Sequence, residues 1–194
     1  MFEAFQNGIP LNKIVEVKRG LCTGNNDYFI RYWFEVNNLD IGFNYESIDS
    51  FHKSSSKYAP HNKGGFFRKW YGNQEHIIKF NFKYFNQLLD LCNHLPSRHY
   101  YFKESLSWSL ISSNSTAFRY YSKGFVFDQA GSSIFFEKKS FEYIIAFLNS
   151  NISQSLLRMI SPTLNYNVGE IASLPILENY NGNDNEIGIY MHIY

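Results

Sequence analysis

Aromatic rings make up 19% of this chain: 19 Phe, 15 Tyr and 3 Trp in 194 residues. Rings in that number need an interior, and they exclude a disordered chain, which is poor in aromatics and rich in charge. Charged residues contribute only 18%, below the usual share of about 25%. The rings sit in short runs with β-branched residues, separated by clusters of Gly, Asn, Ser and Pro. That pattern predicts brief strands and tight turns. A chain of this length folds as one domain or two small ones. It buries roughly 70% of its unfolded surface, enough for a core without metal or disulfide.

The periodicity predicts strands over 10–18, 28–36, 76–80, 106–111, 125–127 and 134–136. Residues 50–59 read as a polar loop, and Pro60 to Gly65 as turn chemistry. Helical spacing appears over 82–93. The strongest helix spans Phe141 to Ile160, with one apolar stripe through Leu148, Ser140 as N-cap and Pro162 beyond its end. Residues 1–9 read as a lead-in, 10–177 as the domain, and 178–194 as an atypical tail or truncation scar. The first ten residues lack a basic and apolar leader, and no run approaches the ~18 apolar residues of a membrane span. The expectation is a cytoplasmic protein with no membrane partner. Cys22 and Cys92 are then expected as reduced thiols.

The formal net charge of +1 conceals an uneven distribution. No acid lies between Ser50 and Gln74, a window that holds Lys53, Lys57, Lys63, Arg68 and Lys69. A second acid-free window, Ser105 to Phe127, carries Arg119 and Lys123, whereas no Lys or Arg follows Arg158. A basic patch on a near-neutral chain suits either a polyanion or a solvated face. The patch is interleaved with Tyr58, His61, Asn62 and Asn73, residue types that complement phosphates and base edges. Lys18-Arg19 with Thr23, Asn25 and Asn26, and Ser113-Asn114 with Arg119, repeat that chemistry. Trp70 and Tyr71 are expected in the core rather than as stacking platforms.

Several chemistries are absent. There is no CxxC pair and no His/Cys spacing for zinc. Gly24 is followed by Asn25 rather than Lys, so no Walker loop forms. Neither a GxGxxG nor a GxSxG occurs. One catalytic spacing survives: Asp128, then Glu137 and Lys139, the arrangement of a Mg²⁺-dependent nuclease.

Six blocks, in order, resemble one family. They are Arg19 to Asp27 (GLxTGxND), Asn62 to Asn73 (NKGGxxRKWYGN), Trp108 to Ser113, Gly124 to Ser133, Leu148 to Ser150, and Ser161 to Pro175. This succession is similar to the target-recognition region of PglX-type adenine-specific DNA methyltransferases, the phage-exclusion (BREX) relatives of type IIG restriction–modification enzymes. The resemblance covers roughly residues 8 to 177. It implies an α+β target-recognition-type domain, with a mixed, mostly antiparallel sheet and a packed amphipathic helix. It also implies a module that recognises double-stranded DNA sequence-specifically and partners the rest of a methyltransferase or other defence subunits. The S-adenosylmethionine loop and the NPPY-type tetrapeptide of the parent enzymes are missing. The chain is therefore expected to hold no cofactor and no activity of its own, with S-adenosylmethionine serving the parent enzyme. The DNA-contacting set is then Lys18, Arg19, Thr23, Asn25, Asn26, Lys57, Lys63, Arg68, Lys69, Asn73, Ser113, Asn114 and Arg119. Within it, Lys57, Lys63 and Lys69 suit phosphates, and Arg68 and Asn73 suit base edges. A Mg²⁺-dependent nuclease and a non-binding remnant or protein–protein module are the rival readings.

Overall fold

Short strands need neighbours to bury their rings, and this chain distributes them over two sheets. A computed structural model describes residues 2–91, 94–112, 115–136, 141–161 and 163–176. In order, the chain runs α1 (Phe2–Asn7), β1 (Ile9–Pro10), β2 (Glu16–Lys18), α2 (Asn26–Phe29), β3 (Ile30–Tyr32), α3 (Ile48–His52), β4 (Tyr58–Asn62), β5 (His76–Lys79) and α4 (Phe82–Asp90). It continues through β6 (Ser105–Trp108), β7 (Phe118–Tyr121), β8 (Val126–Phe127), β9 (Ser133–Phe135), α5 (Phe141–Leu148), α6 (Asn151–Ile160), α7 (Val168–Ala172) and β10 (Pro175–Ile176). The result is the α+β arrangement expected, mostly antiparallel.

One sheet has the order β2-β9-β6-β7, all antiparallel; the other has β3-β5-β4-β8, with only β4 and β8 parallel. A two-stranded pair, Ile9 against Ile176 and Pro10 against Pro175, ties the two ends of the described chain together. Each sheet has its own core. Leu106, Trp108, Phe118 and Ile134 of the first pack against Ile144, Ile145, Leu148, Leu156 and Leu157 of α5 and α6. The second core is richer in rings: Phe29, Phe51, Phe80, Tyr101, Phe102 and Phe127 around Ile78 and Leu88. Phe51 and Phe102 stack at 5.5 Å, and Phe80 meets both edge-on or tilted. No described helix is long and apolar enough to cross a membrane.

Several expected elements change character. Residues 28–36 are not one strand: the Asn25 side chain accepts the Tyr28 N–H at 3.0 Å and caps the short helix α2. The strand survives only as Ile30–Tyr32, before a 3-10 turn closed by Glu35 on the Tyr32 N–H. The stretch 10–18 likewise breaks at a 3-10 turn, Leu11–Lys13. Residues 58–62 are no turn but an interior strand with all five residues buried. Proline is tolerated there because the ladder changes partner beside it. The Tyr58 carbonyl accepts from Gly42, the Asn62 carbonyl accepts from Asp128, and Pro60 faces the gap between the two. The strand at 106–111 ends at Trp108 and is buried on both faces rather than one.

The single helix 141–160 is two helices. At the junction the Asn149 side chain bonds the Phe118 backbone twice, accepting its N–H and donating to its carbonyl, both at 3.0 Å. Ser150 then caps α6 by accepting the Ser153 N–H. Leu148 is fully buried, as the apolar stripe requires. The reduced-thiol expectation fails at Cys22, which is disulfide-bonded. An argument from an absent leader carries no information about which segments folding brings into contact. Cys92, Ser140, Pro162 and the tail 178–194 lie outside the described residues.

Candidate nucleic-acid interface

Five of the six blocks singled out in the sequence, tens of residues apart, meet around the loop between β4 and β5, and the sixth, Ser161 to Pro175, bonds the Trp108 to Ser113 block instead. The first junction is at its start. Lys63 Nζ lies 3.0 Å from Asp128 Oδ2 and 3.4 Å from Asn26 Oδ1, and the Thr23 hydroxyl donates to that same Asn26 oxygen at 2.6 Å. Residues from three blocks thus share one corner. Asp128 is buried, and its other oxygen accepts the Ala130 N–H at 2.7 Å. Burial pushes its carboxyl up, but His61, Lys63 and the Ala130 N–H outweigh that and hold it below the ordinary carboxylate value. The His61 ring is wholly buried, with Nε2 3.6 Å from Asp128 Oδ2, too long for a hydrogen bond. Beside it, burial and the His61 ring lower the pKa of His76.

The second junction is the seam between the sheets. Asn62 Nδ2 donates to Ser107 Oγ at 2.7 Å and to the Gly131 carbonyl at 2.8 Å, while its Oδ1 accepts the Gly64 N–H at 3.1 Å. Gly64 has φ +74°, and a Cβ there would stand 2.4 Å from the Ala130 carbonyl, so only glycine fits this passage.

From Gly65 onward the loop runs along the outer edge of β7. Ser109 Oγ donates to the Gly65 carbonyl at 2.7 Å, and Asn73 Nδ2 to the Phe66 carbonyl at 2.8 Å. Trp70 acts as one residue of strand: its N–H donates to Phe118 at 2.9 Å and its carbonyl accepts from Tyr120 at 2.8 Å. That covers an edge which would otherwise leave ladder groups unpaired. Lys69 Nζ donates to the Asn149 carbonyl at 2.8 Å, at the junction of α5 and α6. The loop backbone is therefore fixed at 65, 66 and 70 and the Lys69 side chain at Asn149, yet the side chains of 66–68, 70 and 71 are exposed. Phe66 is 88% exposed and Tyr71 67%, with Phe67, Arg68 and Trp70 also exposed. The expectation that Trp70 and Tyr71 lie in the core fails: at Trp70 the backbone, not the ring, docks on the sheet.

The expected DNA-contacting residues divide accordingly. Lys18 pairs with Glu16 and lies over the Tyr100 ring; Arg19 donates to the Gln129 side chain. Asn25 caps α2, and Lys57 lies 5.2 Å from the Tyr58 ring centre. Asn73 is buried, its amide spent on Phe66. Arg119 is 0% exposed, donates to Ser109 Oγ at 3.0 Å, and has its pKa lowered by burial. Ser113 and Asn114 lie outside the described residues. So do Glu137 and Lys139 of the nuclease spacing; its remaining member, Asp128, is buried and engaged by Lys63. No group of three or more His, Cys, Asp or Glu suited to a metal occurs among the described residues. Phe66 and Phe67 escaped the sequence reading, although two glycines before them and Arg68 after them mark a presented tip.

No family model matches the chain. Two proteins do. It is 34% identical over 182 residues to the adenine-specific methyltransferase PglX of Lacticaseibacillus casei, covering 88% of this chain and 15% of that protein. It is 36% identical over 168 residues to the adenine-specific methyltransferase BrxX of Escherichia coli O9:H4, covering 83% of this chain and 13% of that one. The chain thus spans a small part of the length of these relatives. Shared identity over nearly all of it makes this chain a homologue of one segment of the PglX and BrxX adenine-specific methyltransferases.

Proposed function

We propose that the chain is the sequence-specific, double-stranded DNA recognition module of an adenine-N6 methyltransferase in a phage-defence system. The observation that carries this reading is the 64–73 loop. It is free of acids, anchored at Trp70 to the edge of β7 and at Gly65 to Ser109, and turns Arg68 and four aromatic rings to solvent. A guanidinium on a fixed loop can pair bidentately with a base edge, and cations nearby can neutralise phosphates. In this reading the chain works in the cytoplasm and partners the portion of the methyltransferase that holds S-adenosylmethionine. It binds no cofactor itself.

The test is a duplex-binding titration on the full chain, using a site selected from random duplexes and an unrelated duplex, across a range of salt. Binding that prefers the selected site, with no heat of binding for S-adenosylmethionine by calorimetry, supports the reading. Equal, undetectable binding to both duplexes overturns it. Mg²⁺-dependent cleavage of plasmid that is lost in Asp128→Ala would replace it with the nuclease.

A further inference from the structure

The tip of the loop carries a feature that base pairing by Arg68 does not need. Phe66 and Phe67 are consecutive and both exposed, Phe66 being the most exposed aromatic residue among those described. Exposing a ring of that size forgoes its burial free energy, whereas Phe51, Phe80, Phe102, Trp108 and Phe118 are fully buried in two cores. Nor is the tip loose. The Phe66 carbonyl is held by Asn73 and the Gly65 carbonyl by Ser109, and Gly65 and Asn73 adopt left-handed backbone at φ +126° and +57°. An apolar group on a preorganised support loses little entropy when it docks.

The surroundings choose the occupant. Acids are absent from 50 to 74, and the exposed Arg68 follows the two rings directly, while the nearby Lys63 and Lys69 are engaged by Asp128 and the Asn149 carbonyl. An apolar protein groove would gain nothing from that field, whereas a polyanion whose interior is a stack of flat rings matches both halves of it. From this we infer that Phe66, with Phe67 behind it, is a wedge that enters the base stack of duplex DNA and opens one step, while Arg68 stays at the groove edge. The inference rests on the DNA-recognition reading and adds the deformation that the module imposes. It would make discrimination depend partly on how easily a step unstacks, which pyrimidine–purine steps do most readily.

The experiment uses the full chain, the selected duplex and copies of it carrying single 2-aminopurine substitutions, whose fluorescence rises on unstacking. Wild type should brighten the probe at one step and leave distant positions dark. Phe66→Ala should abolish that signal and weaken binding by roughly 5- to 100-fold. Its slope of log K against log salt should stay unchanged, because no charge is lost. Since Phe66 is exposed, its melting temperature should match wild type, so a folding defect cannot mimic the result. Arg68→Ala should do the reverse: a lower salt slope, with the probe still bright if binding is driven to saturation. DNA binding by Phe66→Ala with full affinity and full brightening overturns the wedge while leaving the recognition reading intact. Absence of any duplex binding by wild type overturns both. Loss of affinity without brightening in the wild type assigns Phe66 to surface contact and also overturns the wedge.

Discussion

Lys63 and Arg68 are five residues apart in one basic block, yet they stand in different physical situations. Lys63 is drawn into a corner with the buried Asp128 and Asn26, where it compensates a carboxylate held out of water. Arg68 lies exposed on a tip whose backbone is fixed by other residues. The same division separates Asn62, spent on the seam, from the rings that follow it, and Arg119, buried, from Tyr71. Half of the block builds the support and half is presented by it. Residue type does not decide which: a cation whose neighbours leave a buried anion unpaired is recruited inward, because an uncompensated buried charge is costly.

The comparison can be broken most forcefully in the interior. Leu148→Ala, at a fully buried position in the core of α5 and α6, should cost about 2–5 kcal/mol. Phe66→Ala should change stability by no more than about 0.5 kcal/mol. Urea midpoints for the two variants measure the contrast, and similar losses in both would mean that the tip is not free. Next, Asn62→Ala removes the donor to Ser107 and Gly131 and the acceptor for Gly64. Leaving such groups buried without partners costs about 1–3 kcal/mol each. A variant that unfolds at the wild-type urea concentration would show that the seam is not what supports the loop.

A smaller effect concerns pH. Burial lowers the pKa of His52 and His76 from 6.5, the latter with help from the His61 ring. The unfolded chain therefore binds these protons first. Stability is complete above pH 6.5 and declines as pH falls through that value toward the folded pKa values. His76→Gln should flatten the decline, measured as melting temperature between pH 8 and 5; an unchanged slope would place the proton elsewhere. At lower pH the sign is the same for Asp128. Its folded pKa is depressed, so its contribution is present above the ordinary 3.8 and lost as pH drops through the folded value.

The smallest effects distinguish the two halves in binding. Arg68→Ala should leave stability unchanged and lower the salt slope of duplex binding by about one unit, if it meets DNA. Lys69→Ala loses a bond to the Asn149 carbonyl, so it should cost about 0.5–1.5 kcal/mol of stability. A salt titration and a melt on both variants sort them, and equal behaviour would erase the distinction between support and tip.

What the sequence by itself determined is local or compositional. Ring content demanded an interior, alternation and β-branching located most strands, and the stripe through Leu148 oriented α5 correctly, although Ile152 of the same stripe is exposed in α6. The ordered blocks identified the relatives and marked the 62–73 loop, because such similarity survives without coordinates. What only the tertiary structure decided is non-local. The long helix is divided where the Asn149 side chain bonds the Phe118 backbone and Ser150 caps a new helix. Pro60 sits in an interior strand because its neighbours change partner there. Cys22 is oxidised rather than free. Which cations face inward was equally invisible, since it turns on Asp128 arriving beside Lys63 from 65 residues away. Propensity and spacing describe a residue's own preferences. The partner that satisfies a buried amide, carbonyl or charge is chosen by the fold, and that choice separates the supporting residues of this loop from the ones it presents.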